Sequence, residues 1–184
     1  MLDDRSARIP LPVPRDSFQT YRVCVVCLGN ICRSPMAEVL IRTEVEAAGL
    51  ADRVSVESAG TGDWHIGERM DRRASAELAR RGHDGSRHRA RQIEADWLGR
   101  FDLLIAMDAA NLRDLRLMAD DDPDLLGRIR LFRSFDPDAE PAAQVPDPYG
   151  GGPGEFAAVF EMMSAAARGL VGELAAVLGE PAGD

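Results

Sequence analysis

Apolar positions along the chain form two alternating kinds of segment. Short continuous runs, as in Arg22–Val26 and FDLLIAMD (101–108), predict strands that are buried on both faces. Longer segments bounded by helix-start and helix-stop residues, as in Pro35–Ala48, predict helices. The other predicted elements are strands at Arg53–Glu57 and Arg128–Phe132 and helices at Asp71–Arg81, Ile93–Arg100, Ala110–Met118 and Glu155 to about Leu178.

Local signals set the predicted boundaries of these elements. Ser34 reads as the N-cap of the first helix, Pro35 as its first residue and Gly49 as its terminator. The acidic stretch ADDDPD (119–124) reads as a solvated turn, and residues 136–154, rich in Pro, Asp and Gly, as a loop.

Strands that alternate with helices indicate an α/β fold with a mostly parallel sheet. Ligands of such sheets bind beyond the carboxyl ends of the strands, and the loop that follows the first predicted strand leaves one of those ends. A chain of 184 residues is long enough for one domain with its own core. We expect a flexible, charged and Pro-rich N-terminal extension over residues 1–20 and a single domain over residues 21–184.

The composition of the chain limits which partners the protein can bind and in which compartment we expect it. A net charge of -9 argues against nucleic acid as the main partner, and we interpret the arginines gathered between Arg69 and Arg91 as a solvated face. No apolar run approaches the roughly 20 residues of a membrane span, and the N-terminus lacks the apolar core of a secretory signal. The three cysteines lie within nine residues and cannot build a disulfide framework. These features predict a cytoplasmic protein without membrane contact.

The segment CLGNICRS (27–34) joins the first strand to the first helix and carries the candidate chemistry. A glycine-bearing turn that enters a helix N-terminus offers backbone N–H groups and the positive end of the helix dipole to an anion. Arg33 adds a planar fork of donors that suits two phosphate oxygens. The same positive field favours the thiolate form of Cys27. A thiolate beneath a bound phosphate is a nucleophile aimed at phosphorus.

Other interpretations of the cysteines fit less well. Cys24, Cys27 and Cys32 have no fourth Cys or His at metal-site spacing, which argues against zinc. A redox CxxC pair would require Cys24 and Cys27 both to leave a buried strand, so Cys24 reads as a small strand residue. A nucleotide-binding P-loop is excluded because the Gly-Lys-Ser/Thr element is missing.

The longer string around this loop resembles a known family. C-x5-R-S is the signature of protein tyrosine phosphatases, and CLGNICRSPMAE resembles the low-molecular-weight branch of them. SAGT (58–61), ARQI (90–93), MDAANLRDL (107–115) and DPYGG (147–151) follow in the family's order, so that the resemblance covers residues 21–178. It implies a three-layer, flavodoxin-like fold with a four-stranded parallel sheet flanked by helices. It also implies a phosphotyrosine hydrolase that uses neither metal nor cofactor.

The resemblance assigns roles position by position. Cys27 matches the nucleophile, Arg33 the phosphate-binding arginine, and Asp147 the general acid that later activates water. The matching phosphate-binding loop consists of Cys27, Leu28, Gly29, Asn30, Ile31, Cys32, Arg33 and Ser34. Turn chemistry is the alternative for Asp147, because Asp before Pro in a Gly-rich loop is typical of a turn.

Further positions match supporting roles in the family. Ser34 matches a hydroxyl that activates the thiolate, and Asn30 an asparagine in the left-handed conformation that polar side chains at Ser58 and His88 brace. Trp64 and Tyr149 match aromatic walls of the substrate pocket, with half-buried packing as the alternative for Trp64. Cys32 matches a cysteine that forms a disulfide with the nucleophile under oxidation, or else a small residue that fills the loop. His65 and His83 have no matched role, and we expect them on the surface or in loops.

The sequence departs from the family's pattern at two places, and three other functions are alternatives to phosphotyrosine hydrolysis. Gly150 stands where many members have a second tyrosine, and GGGPG (150–154) is unusually flexible. Thioredoxin-linked arsenate reduction would need cysteines after Cys32, and this chain has none. An arginine phosphatase of the family has Thr where Ile31 stands, and a phosphate-binding module with a dead site would not need Cys27, Arg33 and Asp147 together. We expect a monomer or weak dimer that acts on a tyrosine-phosphorylated protein, for which an autophosphorylated bacterial tyrosine kinase is one candidate.

Overall fold

The computed structural model describes residues 9–16 and 20–179. Within these ranges four strands form one parallel sheet in the order β2-β1-β3-β4. The strands are β1 (Tyr21–Cys27), β2 (Val54–Gly60), β3 (Leu103–Ala106) and β4 (Ile129–Leu131). This arrangement confirms the predicted α/β class and its four-stranded parallel sheet.

Helices cover both faces of this sheet in the described part of the chain. They are α1 (Arg33–Ala47), α2 (Arg72–Arg80), α3 (Ala109–Met118), α4 (Pro123–Gly127) and α5 (Pro153–Leu178), with 3₁₀ helices at Ala95–Arg100 and Phe132–Phe135. Side chains of α1, α2 and α5 pack into the core on one face, and those of α3 and of the first 3₁₀ helix pack on the other. Among residues 9–16 and 20–179, no helix is both long and apolar enough to span a bilayer.

The position of β1 inside the sheet explains why its sequence is apolar from Val23 to Cys27. Val23, Val25 and Cys27 belong to the core on the α1 and α5 face, whereas Cys24 and Val26 belong to the core on the α3 face. Successive side chains of a strand point to opposite faces, so a strand between two helix layers buries side chains on both faces, here from Val23 to Cys27. Cys24 and Cys27 therefore lie on opposite faces of the sheet, which rules out their action as a CxxC pair.

Some local predictions were wrong. The N-cap of α1 is Cys32 and not Ser34, and Pro35 is the third helical residue and not the first. The Ser34 hydroxyl bonds instead to the Asn30 side chain in the loop and to the Ala59 carbonyl of β2. The acidic stretch at 119–124 contains more than a turn. Asp122 accepts from the N–H groups of Asp124 and Leu125 and so begins α4, with Pro123 as its first residue.

The segment 9–16 contacts the domain, although we expected a flexible lead-in up to residue 20. Leu11 is buried, and Pro12 accepts a hydrogen bond from the hydroxyl of Tyr21 at 3.0 Å. The backbone N–H groups of Arg15 and Arg22 both donate to the carboxylate of Asp102. Residues 1–8 and 17–19 of the expected extension lie outside the described residues, as do residues 180–184 at the end of the expected domain.

Candidate active site

The Cys27 loop, residues 27–34, joins the carboxyl end of β1 to the N-terminus of α1. It forms one wall of a cavity of about 140 Å³, which we call the Cys27 cavity. The cavity lies where the topology predicted a ligand site, at the carboxyl ends of parallel strands. It is lined by Cys27, Leu28, Gly29, Ile31, Cys32, Arg33, Trp64, His65, Asp147 and Tyr149.

Carbonyl oxygens of the Cys27 loop are held by neighbouring segments of the chain. Thr61 N–H donates to the carbonyl of Cys27 at 2.9 Å, Gly62 N–H to that of Leu28 at 2.8 Å, and Asp71 N–H to that of Ile31 at 2.8 Å. The N–H groups bound to these carbonyls offset part of the negative charge that the loop would otherwise present to an anion. The positive end of α1, which begins within the loop, adds to its preference for an anion.

Gly60, at the end of β2, allows the loop to approach the sheet closely. A Cβ atom at this position would lie 2.7 Å from the carbonyl oxygen of Leu28 and 3.1 Å from the backbone nitrogen of Asn30. Any larger residue would push the loop away from β2. The glycine of the SAGT motif is therefore required by packing.

The Asn30 side chain is the centre of a buried polar network. Its Nδ2 group donates to Oγ of Ser34 at 2.8 Å and to Oγ of Ser58 at 3.0 Å, while its Oδ1 accepts from the N–H of Arg91 at 2.9 Å. Asn30 is fully buried and has a φ of 54°, in the left-handed region that we expected. Its amide hydrogens and its oxygen are all satisfied, so the turn of the loop is fixed by hydrogen bonds.

His88 and Glu38 support this network from the outside. Nε2 of His88 lies 2.7 Å from the Asn30 carbonyl oxygen and therefore carries the donated hydrogen. Burial lowers the pKa of His88, so the ring is neutral near pH 7. Ser58 donates to Oε2 of Glu38 at 2.5 Å. Glu38, Ser58 and His88 also line a separate groove of about 870 Å³, so the network reaches from the Cys27 cavity to that groove.

The sulfur of Cys27 lies among hydrogen-bond donors. Its Sγ is 3.0 Å from Oγ of Ser34, and the backbone N–H of Asn30 donates to it at 3.3 Å. Burial raises the pKa of Cys24 strongly and that of Cys32 to about 12. Both of these side chains therefore remain thiols at neutral pH. Cys27 is thus the cysteine whose sulfur contacts these donors beside the cavity.

Arg33 connects the Cys27 loop to two other segments. Its guanidinium is buried, and Nη1 donates to Oδ2 of Asp108 at 2.6 Å and to the carbonyl of Val145 at 3.1 Å. Nη2 lies 3.2 Å from Oδ2 of Asp147. These contacts fix the guanidinium plane beside Cys27 and so prepare it for a planar, two-pronged contact.

The DPY loop, residues 145–152, brings Asp147 and Tyr149 to the cavity. Oδ1 of Asp147 accepts from the N–H of Tyr149 at 3.2 Å, which is the turn chemistry considered above. Its Oδ2 faces Arg33, and the carboxylate is 45% exposed, so one oxygen makes a turn while the other reaches the cavity. Tyr149 and Trp64 are both largely exposed and both line the cavity. Trp64 is thus a wall residue and not half-buried packing.

Three residues near the cavity were not identified from the sequence. Asp108 pairs with Arg33 and also caps α3 by accepting from the N–H of Asn111. Arg73, placed in the solvated arginine group, contacts the DPY loop, and His65 lies against Tyr149 with ring centroids 6.4 Å apart. The Asp before a helix start was a usable signal for Asp108. No local signal marks the other two.

No cluster of three potential metal ligands among His, Cys, Asp and Glu occurs in the parts of the chain that the structure describes. The lining of the Cys27 cavity includes the guanidinium of Arg33, which favours an anion, beside the single carboxylate that the described residues contribute, that of Asp147. Independence of metal stays a prediction.

Known proteins share this fold and sequence. A family model described as low molecular weight phosphotyrosine protein phosphatase matches residues 22–179. A Streptomyces coelicolor protein named low molecular weight protein-tyrosine-phosphatase is 51% identical over 153 residues, which cover 83% of this chain and 92% of its own length. The Mycobacterium tuberculosis (strain H37Rv) protein named low molecular weight protein-tyrosine phosphatase A is 42% identical over 149 residues, 80% of this chain and 88% of its own length.

Solved structures agree with these relatives. The crystal structure of a protein tyrosine phosphatase from Entamoeba histolytica, with Hepes in its active site, superposes with a TM-score of 0.79 at 29% identity, covering 84% of this chain and 97% of that one. Fold and relatives together define a hydrolase of the protein tyrosine phosphatase class. Within that class, the chain belongs to the low-molecular-weight phosphotyrosine protein phosphatase family. The resemblance drawn from the sequence is confirmed.

Proposed function

We propose that this protein hydrolyses phosphotyrosine in proteins through a cysteinyl-phosphate intermediate on Cys27, without metal or cofactor. The observation that carries the proposal is that Cys27, Arg33 and Asp147 line one cavity, with Nη2 of Arg33 only 3.2 Å from Oδ2 of Asp147. A nucleophile, an anion-binding fork and a proton donor are the three groups that phosphate-ester cleavage requires.

In the first step, the Cys27 thiolate attacks phosphorus while Arg33 and the N–H groups of the loop hold the phosphate oxygens. The S–P bond forms, the P–O bond to the tyrosine ring breaks, and Asp147 gives its proton to the departing phenolate. Asp147 is then a carboxylate. The planar fork of Arg33 can follow the equatorial oxygens through the transition state.

In the second step, Asp147 takes a proton from a water molecule while the oxygen of that water attacks phosphorus. The P–S bond breaks, inorganic phosphate forms, and Cys27 leaves as a thiolate. Ser34 assists this departure, because its hydroxyl hydrogen lies within reach of Sγ, 3.0 Å from Oγ, and of the Ala59 carbonyl oxygen at 3.3 Å. The charged sulfur is the stronger acceptor of the two.

The shape of the cavity supports an aryl phosphate as substrate. Cys27 is only 3% exposed, while Trp64 and Tyr149 at the same cavity are 68% and 52% exposed. A sulfur buried below exposed aromatic walls suits a phosphate at the end of a tyrosine ring better than one on a short serine. Ile31, which also lines the cavity, favours phosphotyrosine over phosphoarginine. We propose a tyrosine-phosphorylated cytoplasmic protein, such as a bacterial tyrosine kinase, as the partner.

The proposal is tested by assaying phosphotyrosine, phosphoserine and phosphoarginine peptides with and without EDTA. We expect turnover of phosphotyrosine alone, unchanged by EDTA and abolished in Cys27→Ser. Cys24→Ala is the matched control, because it removes a thiol from the same strand on the other face of the sheet. Comparable kcat/KM values for phosphoserine, or activity that survives in Cys27→Ser, would overturn the proposal.

A further inference from the structure

Two side chains hold the glycine-rich part of the DPY loop: Glu155, whose Oε2 accepts from the N–H of Gly152 at 2.8 Å, and Arg73. Nη1 of Arg73 donates to the carbonyl of Tyr149 at 2.8 Å and to the carbonyl of Gly151 at 3.0 Å. These two carbonyls flank Gly150, the position where many family members have a second tyrosine. Glycine loses more conformational freedom on ordering than any other residue, so this segment needs an external tie to stay in one place.

The orientation of Arg73 is itself set by Asp71. The Asp71 carboxylate accepts from Nε of Arg73 at 3.0 Å, from its Nη2 at 2.9 Å and from its backbone N–H at 2.8 Å, the last as the cap of α2. The side-chain hydrogen bonds from Arg73 lower the pKa of Asp71, so the pair is charged at neutral pH. The guanidinium also lies 5.4 Å from the ring centroid of Tyr149 and 4.9 Å from that of Phe156.

The same pair also contacts the Cys27 loop. Asp71 N–H donates to the carbonyl of Ile31 at 2.8 Å. On the other side, Tyr149 N–H donates to Oδ1 of Asp147. A continuous set of hydrogen bonds therefore runs from Ile31 through Asp71, Arg73 and Tyr149 to Asp147.

The hydrogen bonds of Arg73 argue against a direct role in binding phosphate. A guanidinium has five N–H donors. Nε uses its donor on Asp71, Nη1 uses both of its donors on the DPY loop, and Nη2 uses one on Asp71. Arg73 is also absent from the lining of the Cys27 cavity. Its geometry fits a structural tie between loops.

We propose that Arg73, oriented by Asp71, is a positioning residue that holds Asp147 at its working distance from the Cys27 loop. This inference rests on the proposed function, since it assumes that Asp147 is the general acid. Displacement of a reacting group by about 1 Å can cost about 10²-fold in rate. Loss of the tie would therefore mimic part of the loss of Asp147 itself.

The test is a double-mutant cycle of Arg73→Ala with Asp147→Asn, measured on a phosphotyrosine peptide and on nitrophenyl phosphate. We expect Arg73→Ala to lower kcat/KM about 10- to 100-fold on phosphotyrosine and clearly less on nitrophenyl phosphate, whose leaving group needs a proton less. In the Asp147→Asn background the same change should cost less than about 3-fold, because residues that act as a unit are not additive.

Two further variants make the test specific. Arg73→Lys keeps the charge but not the planar fork, and it should recover part of the loss; it also carries the test if Arg73→Ala fails to fold. Arg80→Ala is the matched control, since Arg80 is on the same helix and pairs with Glu77. It should leave both activities unchanged.

The outcomes separate this inference from the proposed function. Equal losses on the two substrates, or a loss that adds fully to that of Asp147→Asn, would overturn the positioning role while leaving the phosphatase proposal in place. If instead Asp147→Asn keeps full activity on phosphotyrosine, the general-acid assignment fails first, and the inference fails with it.

Discussion

Nη2 of Arg33 and Oδ2 of Asp147 lie 3.2 Å apart, although one residue belongs to the first loop of the domain and the other to the loop before its last helix. The contact brings the proposed anion-binding group and the proposed acid to the same cavity. Because the two residues have different proposed roles, substitution of Asp147 should alter the dependence of the rate on the leaving group, whereas substitution of Arg33 should weaken phosphate binding. The two effects can be measured separately.

Asp147→Asn and Asp147→Ala together separate proton transfer from turn formation. Asn retains an oxygen that can accept from Tyr149 N–H, but its amide protons are not acidic enough to be transferred to the leaving group. A general acid contributes about 10²–10⁴-fold in rate, so we expect both variants to lose kcat/KM on phosphotyrosine by a similar factor in that range. The loss should be smaller on nitrophenyl phosphate. Near-normal activity in Asp147→Asn but not in Asp147→Ala would mean that the turn, and not proton transfer, is the role of Asp147. Asp138→Ala is the control, because Asp138 is an exposed aspartate of the same Pro-, Asp- and Gly-rich segment, residues 136–154.

Arg33→Lys keeps the positive charge but removes the planar fork. We expect kcat/KM on phosphotyrosine to fall on the order of 10²-fold, as for the loss of one transition-state donor. Inhibition by inorganic phosphate should weaken as well, because the same fork binds the product. The melting temperature is measured in parallel, since Asp108 loses its partner in this variant. Wild-type inhibition by phosphate would show that the anion is bound elsewhere.

Cys32 should affect recovery from oxidation and not activity. Mild peroxide oxidises the Cys27 thiolate to a sulfenic acid, and Cys32 can then attack that sulfur, lose its proton and release water as the disulfide forms. Burial raises the pKa of Cys32 to about 12, so the second cysteine is a thiol at neutral pH. In Cys32→Ser the sulfenic acid has no disulfide partner, and further peroxide oxidises it to the irreversible sulfinic acid. After peroxide and then a thiol reductant, the wild type should therefore regain activity and Cys32→Ser should not. Equal recovery of the wild type and Cys32→Ser would show that Cys32 only fills space in the loop.

His88 should make the folded state less stable in acid. Burial lowers the pKa of His88 in the folded protein below its unfolded value of about 6.5, so the unfolded chain binds the proton more readily. The stabilisation by neutral His88 is complete above about pH 6.5 and is lost as the pH falls towards the lower folded pKa, by at most about 1.4 kcal/mol for each pH unit. His88→Gln should flatten the pH dependence of urea unfolding over this interval. The same flattening by His83→Gln would show that the effect does not belong to His88.

The core of the fold could be predicted because its signals are local. The apolar runs of β1 and β3 and the Pro and Gly residues at the ends of α1 are visible without knowledge of the tertiary structure. The N-cap was misplaced because Ser34 has a better use for its hydroxyl, with Asn30 and Cys27 as neighbours in space. Helix α4 was missed because its short segment reads as an acidic turn until the Asp122 side chain is seen to cap it.

The candidate site was predictable where its residues are contiguous or match the family's motifs. The Cys27 loop shows its chemistry in eight consecutive residues, and the resemblance led from it to Asp147, Ser58 and His88. Asp108 and Arg73 depend on contacts between segments distant in sequence. Arg73 in particular lies in a run of arginines in which nothing local distinguishes it from Arg72 or Arg80.

The most direct test of the account is to trap the phosphoenzyme. Wild-type protein mixed with excess nitrophenyl phosphate and quenched rapidly in acid should gain the mass of one phosphoryl group, and peptide mapping should place that group on Cys27. Asp147→Asn should accumulate more of it, because the water step then lacks its base, whereas Cys27→Ser should gain none. Absence of the adduct from both the wild type and Asp147→Asn during active turnover, or its location on any residue other than Cys27, would contradict the mechanism proposed for this protein.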